Sequence, residues 1–161
     1  MADTGWKSPT ATGAVYNDFT NPTYAYSSND QYATRLMANG STFRQSYSGF
    51  GFGVPAGATI NGIEVSIEGH GSVQIALPHY IHNESASNNR LKYFTHLVSD
   101  SAVVEGGASD LWSGTWVADD FSDESFYMYL TTDPDGTDGI TISIDHIQVK
   151  VYYTEATVVN V

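Results

Sequence analysis

Between residues 59 and 69 the chain alternates: Ile63, Val65 and Ile67 take one parity, Glu64, Ser66 and Glu68 the other. A period of two sends successive side chains to opposite faces, so this segment reads as a β-strand with one wet face. Val73, Ile75 and Leu77 repeat the pattern before Pro78, and residues 69–72 are expected to form the hairpin turn between the two. Further strands are expected over 32–37, 92–98 and 101–109. In the run 41–53 the bulk of Phe43, Tyr47, Phe50 and Phe52 is interleaved with Gly49, Gly51 and Gly53, which predicts a bent strand or a close backbone approach.

In the second half, Trp112 and Trp116 around Gly114 are expected as core anchors, and the acidic stretch 119–124 as one short helical turn. Phe126, Met128 and Leu130 then face inward while Tyr127 and Tyr129 face out. Ile140, Ile142 and Ile144 are followed by Ile147, Val149 and Val151, so the parity changes once. One extra residue near Asp145 and His146 keeps both halves on the core side, which is a β-bulge.

Short strands with Gly, Pro, Asn and Asp turns and no helical crossover predict an all-β, two-layer antiparallel β-sandwich. A jelly-roll arrangement is favoured over an immunoglobulin one, since there is no Cys, Trp, Cys framework and the chain exceeds about 100 residues. Its 161 residues suit one core. Residues 1–30 read as an irregular arm bearing Trp6, Tyr16, Phe19 and Tyr24, packing either on the sandwich or on a neighbour. Residues 31–154 form the sandwich. Residues 155–161 form a tail in which Val158, Val159 and Val161 pair at home or add a strand to a neighbour's edge.

Composition narrows the partners. Eighteen acidic residues against six basic ones give a net charge of −12, which repels nucleic acid and anionic membranes. No segment approaches the apolar length of a membrane span. The absence of cysteine removes disulfides, thiolate nucleophiles and cysteine zinc sites.

Three stretches taken together carry a resemblance: Asn21-Pro22 with Tyr32-Ala33-Thr34, then GFGFGVPAGATINGIEVSIEG at 49–69, then DLWSGTW at 110–116 with SIDHIQVKVYYT at 143–154. This resembles a β-sandwich domain of tailed-phage virion and prophage structural proteins, over roughly residues 6–154. The resemblance implies a non-enzymatic virion structural role, most simply a capsid decoration protein. Its partners would be further copies of itself, with a trimer as one symmetry, and a major capsid or other virion protein. It would sit on the virion surface and be made in the host cytoplasm, which the lack of a signal-peptide pattern in MADTGWKSPTATG fits.

Four groups of residues invite chemistry. Asp133, Asp135 and Asp138 alternate around Gly136 and Gly139 as a calcium loop would, but Ile144 stands where such a loop needs glutamate, and Asp-Gly is also hairpin chemistry. His79 and His82 are the closest histidine pair, yet a spacing of three on a strand puts them on opposite faces. Glu64 and Glu68 share a strand face, but strand rise separates them by roughly 13 Å, too far for a glycosidase pair. Tyr127, Tyr129 and Tyr152, on outward parity, are open to cross-strand packing, a protein interface or a glycan platform. The glycan option defines the alternative function, a host-attachment carbohydrate-binding module. No catalytic residue and no cofactor other than a candidate calcium is expected.

Overall fold

The computed structural model describes residues 1–83, 88–133 and 138–159. Among these the strands are β1 (Ala2–Asp3), β2 (Ala11–Asn17), β3 (Ala33–Leu36), β4 (Arg44–Ser48), β5 (Thr59–Gly71), β6 (Ile75–Asn83), β7 (Asn88–His96), β8 (Ser101–Gly107), β9 (Phe126–Thr131) and β10 (Thr141–Thr154). Two single 3-10 turns, Pro22–Ala25 and Ala118–Phe121, complete them.

Sheet A runs β1-β10-β5-β8, with β3 also on β10, and sheet B runs β2-β4-β9-β6-β7. The pairs β3 with β10, β4 with β9, β5 with β8 and β6 with β7 nest inside one another. This is a long hairpin rolled into two layers, the jelly-roll sandwich that the pattern predicts. Ile63, Val65, Ile67, Ile144, Ile147, Val149 and Val151 from sheet A face Tyr47, Leu77, Ile81, Phe94, Met128 and Leu130 from sheet B, all at most 1% exposed. Burying one such side chain contributes about 1.5–3 kcal/mol.

The register of β10 on β5 shifts between Ile144 and His146. Asp145 is the extra residue, placed by the parity change that the sequence shows. Trp112 and Trp116 are buried, and their indole N–H groups donate to the Ile63 and Leu111 carbonyls at 3.0 and 2.9 Å.

Several expectations are corrected. Residues 69–72 do not join a hairpin, because β5 and β6 lie in different sheets; the chain turns a corner between layers there. Strand β4 is shorter than 41–53, since Gly49, Gly51 and Gly53 take positive φ and end the ladder. Phe50 and Phe52 still enter the core and stack at 5.3 Å. The arm packs on the sandwich and adds short strands to it: β1 pairs with β10, β2 with β4, and Phe19 lies in the core.

Candidate functional site

The outer face of sheet B gathers the aromatic side chains that the core does not use. Strand β9 points Phe126, Met128 and Leu130 inward, so Tyr127 and Tyr129 lie on the outer parity. On that face Ser46 of β4 stands opposite Tyr129, Tyr129 opposite Tyr80, and Tyr80 opposite Leu91. The row therefore crosses four strands.

Strand β2 completes it. Ser46 Oγ accepts the Val15 and Tyr16 N–H groups, both at 3.2 Å, which lifts residues 14–16 out of the ladder and over the sheet. Tyr16 thereby reaches Tyr129, ring centroids 5.0 Å apart, while Tyr80 stacks on Tyr129 at 4.6 Å with planes 4° apart. The Arg44 guanidinium lies 5.1 Å from the Tyr16 ring. Tyr129 donates its hydroxyl to Asn89 Oδ1 at 2.8 Å, and burial pushes its phenol up to about 12.

Tyr127 lies 4.6 Å from His82 and 6.0 Å from Tyr129. Of the readings open to Tyr127 and Tyr129, their rings take cross-strand packing: they are 8% and 4% exposed, roofed by Tyr16, Tyr80 and His82. What meets solvent is half-buried Tyr16 and Tyr80, with Leu91 and Tyr93, the latter 57% exposed.

Beside this row lies a cavity of about 360 Å³, lined by Ala14, Val15, Ser46, Ser48, Asp123, Glu124, Phe126 and Tyr127. Asp123 Oδ1 accepts the Gly51 N–H at 2.8 Å, which fixes one wall. The edge of Tyr127 with hydroxyl and carboxylate walls, next to the tyrosine row, supplies both the apolar face and the hydrogen-bond acceptors that a sugar ring needs.

The other sequence candidates lie elsewhere. Trp6 and Tyr152 sit with sheet A, where Lys150 Nζ lies 4.4 Å from the Trp6 ring and 5.6 Å from the Tyr152 ring. Tyr24 is in the first 3-10 turn and partly exposed, Val158 and Val159 are 80% and 77% exposed, and Val161 lies outside the described residues. So does Asp135. Of its companions Asp133 and Asp138, the latter accepts the Asn39 N–H at 3.4 Å. Glu64 pairs with Lys150 at 3.7 Å and Glu68 accepts from Ser28 at 3.1 Å, and neither lines the cavity beside the tyrosine row.

A different acidic group emerges instead. Asp30, Asp100 and Asp145 bring one carboxylate oxygen each within 4.8 Å of one another. The bulge buries Asp145 completely, and the Asn29 and Asp30 N–H groups donate to its two oxygens at 3.0 and 3.2 Å. Such oxygens are the donor type a hard cation takes. The parity change flagged Asp145, but nothing local to the sequence could place Asp30 and Asp100 beside it.

No protein-family model matches the chain, and no curated protein sequence matches it. Solved structures do show likeness, among them the following. TmCBM61 in complex with β-1,4-galactotriose is 10% identical, covering 90% of this chain and 87% of that one, with a TM-score of 0.45. The N-terminal cellulose-binding domain from Cellulomonas fimi β-1,4-glucanase C is 11% identical, covering 96% and 91%, with a TM-score of 0.48. Chitosan-binding module 1 from a chitosanase/glucanase of Paenibacillus sp. IK-5 is 10% identical, covering 92% and 98%, with a TM-score of 0.43.

Proposed function

We propose that this protein is a non-enzymatic carbohydrate-binding β-sandwich that takes a glycan chain across the outer face of sheet B. One observation carries the reading: the Tyr16, Tyr129 and Tyr80 row lies beside a cavity whose walls offer Ser48, Asp123 and Glu124. Sugar rings stack their C–H faces on aromatic rings and donate their hydroxyls to carboxylates, and this surface supplies both. Affinity electrophoresis of the whole chain through gels containing neutral and charged polysaccharides tests it. Retardation by at least one polysaccharide, weakened by Tyr80→Ala, is expected. Unretarded migration through all of them would overturn it.

A second reading, assembly on a virion surface as a capsid decoration subunit, draws on one separate observation. Residues 155–159 are exposed past the end of β10, and the outer edge of β7 pairs with no strand among the described residues. A valine-rich tail and an open edge are the two halves of a strand-addition contact. Light scattering of the full chain and of a chain lacking residues 155–161 separates it: an oligomer that dissociates supports assembly, and a monomer in both removes it.

A further inference from the structure

Building on the glycan-binding reading, we infer that the sheet B cavity selects an amino sugar carrying a free, protonated amine, over neutral sugars and over uronates. The cavity lining holds two carboxylates and no Lys, Arg or His among the described residues. Glu124 is exposed and has no hydrogen-bond or ion-pair partner among the described residues. Asp123 spends one oxygen on the Gly51 N–H and keeps the other.

The protein's own cations do not neutralise this pair. Lys150 is taken by Glu64 and Trp6, Lys92 by Asp110 at 2.8 Å, and Arg35 by the Phe43 ring and the Asp18 carbonyl. Arg44 shares the outer face but lies against Tyr16. Lys7 belongs to sheet A, bridged to Val149, and Arg90 lies on the inward parity of β7, opposite buried Ile81. Two carboxylates one residue apart therefore face a cavity of sugar size in a chain of net charge −12, so the local potential is strongly negative. A uronate or sulfated ring is repelled there, a neutral ring is indifferent to it, and an ammonium group on the ring is attracted. A lysine-rich peptide shares the charge but cannot use the tyrosine row, so the sugar is the better fit.

Calorimetry on the whole chain at mildly acidic pH tests this with four probes: a β-1,4-glucosamine hexamer, its fully N-acetylated form, a galacturonate hexamer and a lysine-rich peptide. The glucosamine hexamer should bind about tenfold tighter than the acetylated one at low salt, the size of two exposed charge pairs. Glu124→Gln, a change at an exposed carboxylate, should cut that gap to about two- to threefold by weakening the glucosamine hexamer more than the acetylated one. High salt should close the gap in both proteins. Equal binding of the two forms, or preference for galacturonate, would overturn the amino-sugar assignment and leave the glycan reading standing. Binding of the peptide alone, or of no probe, would also overturn the amino-sugar assignment, and retardation by a neutral polysaccharide in the gel assay then decides the glycan reading on its own.

Discussion

His79 Nε2 and His96 Nε2 lie 2.9 Å apart inside the sandwich, and the bonds around them fix where the protons sit. The Thr131 N–H donates to His79 Nδ1 at 3.1 Å, so that nitrogen is bare and the ring proton is on Nε2. His79 then donates to His96, whose own proton is left on Nδ1, a buried nitrogen without a hydrogen-bond partner among the described residues. An added proton has to break one of these bonds. Burial holds His96 down to about 4 and, together with the neighbouring His96, holds His79 well below its usual 6.5.

Folding stability should therefore fall as the pH drops. Both groups are depressed in the folded state, so their contribution is fully present above 6.5 and is lost as acid reaches 4, where the unfolded chain binds more protons. The slope should reach about 1.4 kcal/mol per pH unit for each histidine. Urea unfolding across this range measures it, and His96→Leu should flatten the curve. A wild-type stability that stays level from neutral pH to 4 would contradict the assignment.

Asp145→Ala should destabilise the fold by about 2–4 kcal/mol, because two backbone N–H groups lose a charged acceptor. Asp145→Asn keeps one acceptor oxygen and should cost less. Thermal unfolding of both variants gives the order, and equal losses would argue against the bonds to Asn29 and Asp30.

Much of this fold was legible because it is local. The alternation around Ile63, Val65 and Ile67 set the face of β5, and the parity change between Ile144 and Ile147 located the bulge. Long-range pairing was less legible. That β5 and β6 belong to different layers depends on β10 and β8 taking the two edges of β5, which residues 69–72 do not encode. Orientation of Tyr127 and Tyr129 could be read from parity, but their roof comes from Tyr80 across the β6 ladder and from Tyr16, held over the sheet by a serine hydroxyl on β4. The cavity beside them depends on the same displacement of residues 14–16.

Gly106→Ala should be among the most damaging single changes, at about 3 kcal/mol or more. A methyl group there would overlap the Ile63 carbonyl oxygen and crowd Trp112 Nε1, and the residue sits at a φ of 92°. Gly107→Ala, with open space beside it, is the control. Chemical denaturation should separate the two clearly, and similar midpoints would contradict the packing of Trp112 on β5.

Tyr93→Ala should leave stability within about 0.5 kcal/mol, since the ring is exposed on the edge strand. Glycan affinity should fall about three- to tenfold if the bound chain extends over β7, the loss of one aromatic contact. Paired melting and binding measurements on this variant distinguish a ligand contact from a packing role.

The outer face of sheet B is the part of the account most directly open to test. Backbone and aromatic NMR signals recorded during titration with a retarded polysaccharide's oligomer should move at Tyr16, Tyr80, Tyr127 and Glu124. Signals of Trp6, Lys150 and Tyr152 on sheet A should stay in place. Shifts confined to the sheet A residues, or none at any glycan concentration, would contradict it.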